Sequence, residues 1–276
     1  MNLLKLELKS CWKRAELHFI VNFMLIISIA SFLIECIPFY GVNLSFVRSA
    51  AESTLIQGTY ASMLRTTLLI ILPLICSLIY ADSFYIDYKT GVYKSIITRT
   101  DKRKYIMIKS IVAFISTFFV FFITLFVNLV LCLIVFPKYG FDNIYSLPPY
   151  DIGVQNYNSM YLFDFLRIQA PFFYNIVSVV IISMFAGLIS LLTYSVYFMF
   201  LSKNRIVGTM VVFICYILSN IAFPVLGFPS LSLYEQIKPN HIGHFYQIVT
   251  WMIVLFILSI CFIVSKGMKR EWDFED

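Results

Sequence analysis

The stretch ADSFYIDYKTGVYKSIITRTDKRKYIMIK, residues 81–109, lies between two long apolar runs. It carries Lys89, Lys94, Arg99, Lys102, Arg103, Lys104 and Lys109, a third of the 21 basic residues in a chain of which only 13% is charged. Lys and Arg concentrate in the short cytoplasmic loops between membrane spans, so this interval is expected on the cytoplasmic side. Working outward, six apolar runs are found, approximately Phe19 to Phe39, Leu64 to Tyr80, Ile111 to Phe136, Phe172 to Leu201, Ile206 to Phe228 and Tyr246 to Ser265. About 20 apolar residues at about 1.5 Å rise cross a hydrocarbon core of about 30 Å. A content of 60% hydrophobic residues also exceeds what a soluble core of 276 residues would hide. The runs are continuously apolar rather than alternating, which excludes a closed barrel. The expected fold is an all-α integral membrane protein with six transmembrane helices.

The net charge of +6 reads as topology rather than nucleic-acid affinity. Basic clusters fall at Lys5, Lys9, Lys13 and Arg14, in the central loop, at Lys203 and Arg205, and at Lys266, Lys269 and Arg270. Six alternating spans put all of them on one side, leaving Arg48, Arg65, Lys138, Arg167 and Lys238 on the other. Both termini are therefore expected in the cytoplasm of a multi-pass plasma-membrane protein. The six cysteines are scattered singly and give neither a disulfide framework nor a metal spacing. The first apolar run lacks a small-residue cleavage site and reads as a retained span.

Two regions are expected: an amphipathic helix over residues 1–18 and a six-span domain over 19–276. In the first, Leu4, Leu8, Cys11, Trp12 and Ala15 recur at three- and four-residue spacing, with Lys5, Lys9, Lys13 and Glu16 opposite. Such a helix lies in the membrane interface. Glu35 ends the first span and Arg65 begins the second, and a carboxylate in the bilayer seeks a partner, so the two are expected to pair structurally. The segment Gly41 to Met63 between them is expected outside, forming a short helix on the membrane surface. Asn128 and Asn220 are the candidate pathway polar residues, and Lys109 is expected to snorkel to the cytoplasmic surface. The external loop 137–171 is rich in Tyr and Phe and reads as an interfacial cap. Ser183, Gly187 and Ser190 offer a seam for close helix packing. Pro224, Gly227 and Pro229 predict a kinked or broken outer end of the fifth span.

Within the central loop, Asp82 to Tyr88 continues the second helix, Gly91 interrupts it, and Val92 to Thr98 offers Val92, Ile96 and Ile97 as a small apolar face. Gly91, Lys94 and Ser95 do not make a phosphate-binding loop, which needs a glycine directly before Lys-Ser and another separated from it by four residues. The run Gly91, Val92, Tyr93, Lys94, Ser95, Ile96, Ile97, Thr98, Arg99, continuing through Arg103, Lys104, Tyr105 and Lys109, resembles the membrane permease of type-2 ABC transporters. That family typically has an amino-terminal elbow helix, two spans, a cytoplasmic loop and four more spans. Its loop shows a glycine, a short apolar helix, a Thr or Pro followed by Arg, and a Lys opening the third span. The resemblance covers essentially the whole chain. It implies that the helix at Val92 to Thr98 is the coupling helix, with Gly91, Val92, Tyr93, Ile96, Ile97, Thr98 and Arg99 docking on an ABC ATPase subunit. It also implies a re-entrant segment at Ser230 to His244.

Other function classes fit less well. Membrane proteases need a His-Glu-x-x-His helix or span-borne aspartates, and neither occurs. His241 and His244 have no acid or cysteine beside them to complete a metal site. A secondary transporter would show internal repeats and midplane ionisable residues. The alternatives left open are a secondary transporter or a membrane sensor or scaffold without an ATPase partner. The favoured reading is a permease subunit, not itself an enzyme, with no cofactor on this chain and ATP-Mg on the partner ATPase. The further partners implied are a second permease, as homodimer or heterodimer, the lipid bilayer, and an amphipathic or hydrophobic substrate such as an antimicrobial peptide; no nucleic acid is expected.

Overall fold

A computed structural model describes residues 3–43, 46–138, 159–201 and 204–268. Most of the expected loop 137–171, with Tyr139, Phe141, Tyr145, Tyr150 and Tyr157, lies outside them, as do Lys203, Lys269, Arg270 and Trp272. Among the described residues, six helices are long and apolar enough to cross a membrane: Ala15–Phe39, Ser62–Ala81, Lys102–Val135, Pro171–Tyr197, Arg205–Val225 and Phe245–Met268. All six correspond to the apolar runs of the sequence. No strand occurs among the described residues.

In chain order, α1 (Leu3–Trp12) turns at Lys13 and Arg14 into α2 (Ala15–Cys36). The second span is α3 (Ser62–Cys76), prolonged by a widened turn over Ser77–Ala81. Pro73 lies inside α3 and removes the N–H that would bond to the carbonyl of Leu69. In an apolar medium that freed carbonyl needs another donor, and the Tyr216 hydroxyl of the fifth span supplies it at 2.9 Å. The proline site in one span is thus keyed to another.

Beyond the turn come two short helices, α4 (Ser83–Lys89) and α5 (Val92–Ile97). Gly91 between them has φ +74°, and a Cβ there would meet nothing within 4 Å. Glycine is needed for the left-handed backbone rather than for space. Next comes α6 (Lys102–Val135), capped by the Asp101 carboxylate, which accepts from the Arg103 N–H at 3.2 Å. It starts nine residues before the apolar run at Ile111, because the capping aspartate rather than hydropathy sets the start. Its 34 residues span about 51 Å.

After α7 (Asp164–Gln169), α8 (Pro171–Tyr197) is the most enclosed helix. Its seam is as the sequence suggests. A Cβ on Gly187 would stand 2.9 Å from the Phe114 ring, and Ser190 Oγ donates to the Ala113 carbonyl at 3.3 Å, so α6 and α8 pack closely. The fifth span, α9 (Arg205–Val225), ends just after Pro224. The segment beyond holds α10 (Leu233–Ile237), and α11 (Phe245–Phe262) with its wide turn to Met268 completes the chain. Arg14, Asp82 and Arg205 meet in ion pairs, so α1, the α4–α5 loop and the start of α9 share one end of the bundle, called here the basic end.

The segment before α3 departs from expectation. Instead of a surface helix, residues 49–56 are buried turns inserted among the spans at the opposite end.

Candidate functional site

At the basic end, α4 and α5 stand on a buried ionic base. Lys109, on the second turn of α6, is only 2% exposed, so it does not snorkel as expected. Its Nζ lies 2.8 Å from Asp87 Oδ2 on α4 and 3.2 Å from Glu7 Oε2 on α1. The Tyr80 hydroxyl donates to Glu7 Oε2 at 2.5 Å, and the Tyr105 hydroxyl donates to Asp87. Both rings also face the ammonium, with centroids 5.5 and 5.3 Å from Nζ. A dry lysine is stable only when paired and bonded in this way.

A second hub is Asp82, 1% exposed, at the junction of the second span and α4. Arg14 Nη1 bonds to Asp82 Oδ1 at 2.6 Å and lies over the Tyr80 ring, 4.7 Å from its centroid. Arg205, opening the fifth span, pairs with the other Asp82 oxygen and lies 3.4 Å from Glu16 Oε1. Tyr80 joins the two hubs. Together they bind α1 and the starts or ends of the first, second, third and fifth spans to the base of α4.

On this base α5 is held by Tyr93, which is buried and stacks on Tyr88 at 5.1 Å between centroids. Burial pushes the Tyr93 hydroxyl above the usual tyrosine range. Ile96 and Ile97 are half-buried against the core, whereas Val92, Thr98 and Arg99 are exposed. The apolar face expected at Val92, Ile96 and Ile97 is therefore split: the isoleucines partly serve the fold and Val92 faces outward. The sequence reading also missed Glu7 as a buried anchor. The available signal was an acid four residues before Cys11, the other buried residue of α1.

At the opposite end, the span-borne polar residues hold the inserted turns. Glu35 Oε1 accepts from the Ala61 N–H at 2.8 Å, while Arg65 Nη1 donates to the carbonyls of Ile56 at 2.8 Å and Gly58 at 3.1 Å. The two side chains thus converge on one turn, and no ion pair within 4.0 Å joins them. Gly58 permits the approach, since a Cβ there would collide with Glu35 Oε1 and lie 2.6 Å from the Thr54 carbonyl. Asn128 accepts from the Leu55 N–H at 2.8 Å and donates to the Ser28 carbonyl at 2.8 Å. Asn175 donates to the Ala51 carbonyl at 2.8 Å. Non-helical backbone at membrane depth needs such internal partners. Asn220 acts similarly, accepting from the Tyr234 N–H at 2.9 Å at the start of α10.

His241 Nδ1 lies 2.8 Å from the Glu235 carbonyl, and burial pushes the imidazole below the usual histidine range. Among the described residues no group of three His, Cys, Asp or Glu side chains is placed to hold a metal ion. Comparison with family models, with curated proteins and with solved structures returns no match for this chain.

Proposed function

We propose that the chain is the membrane-spanning permease subunit of an ATP-driven exporter of the ABC type-2 class, with α5 as the helix that docks on a separate ATPase. The observation that carries this reading is the mounting of α5. It follows a left-handed glycine, presents Val92, Thr98 and Arg99 outward, and rests through α4 on an ionic base reaching four spans. A push on α5 would be delivered through Asp87 to Lys109 on α6 and through Asp82 to Arg205 on α9. In this reading the basic end and both termini are cytoplasmic and α1 is the interfacial elbow, with Trp12, 70% exposed, at the lipid boundary. ATP-Mg binds the partner ATPase, two permeases form the pathway, and the cargo is amphipathic or hydrophobic.

The bonding of Glu35, Arg65 and Asn128 to loop backbone also favours an external energy source over a secondary carrier, because these span-borne polar groups already serve the fold. Purification of the tagged chain from its native membrane, with assay of ATP hydrolysis, tests the proposal. An ATPase subunit should co-purify, and Val92→Asp should detach it without loss of the folded permease, because Val92 is 46% exposed and a docked charge would need burial. Ile96→Asp should lose both docking and stability. A chain that purifies without any ATPase, or a Val92→Asp variant that retains it, would overturn the reading.

A further inference from the structure

A groove of about 720 Å³ runs between α6, α8 and α11, walled by Met107, Ile111 and Phe114, by Leu188, and by Ile253 and Phe256. It has the size of a small-molecule pocket, for which about 300–1,000 Å³ is typical. Of its lining residues only Ser110 carries a side-chain hydroxyl, and that donates to the Met107 carbonyl at 2.7 Å. The walls therefore make no hydrogen-bonding demand, and the chemistry they accept is hydrocarbon.

Three features select the occupant. First, α11 with its wide turn lines the groove from Val249 to Met268, about 28 Å of helix rise, but α6 walls it only from Met107 to Ile115, about 12 Å, so the three-walled part lies at the basic end and is near the half-thickness of a hydrocarbon core of about 30 Å. That three-walled part has the reach of one acyl chain in one leaflet. Second, close packing of membrane helices uses small residues, as at Gly187 and Ser190, whereas these walls are long Met, Ile, Leu and Phe side chains. The flexible methionines among them adapt to an irregular chain rather than to a fixed helix face. Third, the grooved face of α6 continues toward the basic end into charge. Arg103 lies four residues before Met107 and Lys104 seven before Ile111, so both fall on the same helical stripe, and both are exposed. Neither takes part in an ion pair among the described residues.

We propose that this groove binds one anionic phospholipid, its acyl chain between α6, α8 and α11 and its phosphate against Arg103 and Lys104. The proposal requires only that the six helices span a bilayer and is independent of the ATPase partner. Lys or Arg beside an anionic headgroup adds about a five-fold gain in affinity per residue.

Native mass spectrometry of the delipidated chain, titrated with dioleoyl phosphatidylglycerol or dioleoyl phosphatidylcholine, tests this directly. One phosphatidylglycerol should be retained per chain in preference to phosphatidylcholine. Arg103→Gln and Lys104→Gln should each reduce the preference about five-fold and leave the thermal melt unchanged. In an Ile253→Trp variant, the fluorescence of the introduced indole should be quenched by phosphatidylglycerol brominated on its acyl chain more than by the brominated choline lipid. Equal retention of the two lipids by the unmodified chain, or a preference that survives both glutamine substitutions, would overturn the proposal and make the groove an ordinary lipid-facing surface. A dimer that closes the groove and protects the introduced indole from both brominated lipids would also overturn it.

Discussion

Lys109 is a cation that sequence logic sends to water and the fold keeps dry. Between Asp87 and Glu7, beneath two tyrosine rings, it has more partners than a surface lysine could hold. Removing one member of a buried ion group leaves its partners uncompensated, at a cost of about 3–5 kcal/mol. Lys109→Met should therefore lower the thermal midpoint of the detergent-solubilised chain sharply, and adding Glu7→Gln should restore part of it by removing one stranded charge. Full stability in Lys109→Met would mean the base does not hold the loop. At the other end, Gly58→Ala should also destabilise, because the new methyl meets Glu35 and the Thr54 carbonyl, while Glu35→Gln should be milder because an amide oxygen can still accept from Ala61.

His241 gives a pH dependence whose sign follows from burial. Its folded imidazole titrates below the usual value of about 6.5, so between the two values the unfolded chain binds more protons than the folded one. Stability should be level above about pH 6.5 and fall as the pH drops below it. Thermal melts between about pH 7.5 and pH 5 should show this slope for the natural chain and a shallower one for His241→Gln.

At the scale of elements, α5 depends on a single backbone state. Because the space around Gly91 is open, a side chain there is penalised only through φ, by about 1–2 kcal/mol for a left-handed residue. Asn visits that region more readily than other residues. Under the proposed function, Gly91→Asn should retain a docked ATPase and Gly91→Val should weaken its binding, as read by co-purification and ATP turnover. Equal binding by the two variants would show that the orientation of α5 is not what a partner recognises. The extent of α6 has a local cause as well: Asp101 starts a helix whose first two turns are basic and whose apolar run comes later. Hydropathy marks where a helix is dry, and a cap marks where it begins.

Over the whole molecule, the six spans were legible because apolarity along a run is a local property. So were the Gly91 break and the α6–α8 seam, which rest on single residue types. The ionic base was not, since whether a charge is buried depends on partners far away in the chain: nothing near Lys109 announces Glu7. Residues 49–56 were misplaced for a related reason. Their serines and threonines read like those of any exposed turn, and the sign of insertion lay instead in Glu35 and Arg65, expected to pair with each other, in Asn128, expected to line a pathway, and in Asn175, which the sequence reading passed over. All four bond to the backbone of the segment before α3.

The same separation has a consequence for biosynthesis. Arg14 leaves the ribosome 68 residues before Asp82, and Glu16 precedes Arg205 by 189. At about 5–20 residues per second, Glu16 waits about 10–40 s for Arg205, whereas Arg14 waits about 3–14 s for Asp82. Glu7 on α1 meets Tyr80 after 73 residues, and Lys109 follows at the start of the third span, so α1 has its buried partners well before the fifth span is made. Arrival of the fifth span then supplies Arg205 to the second Asp82 oxygen and to Glu16, so the cluster closes in two stages, the α1 side first.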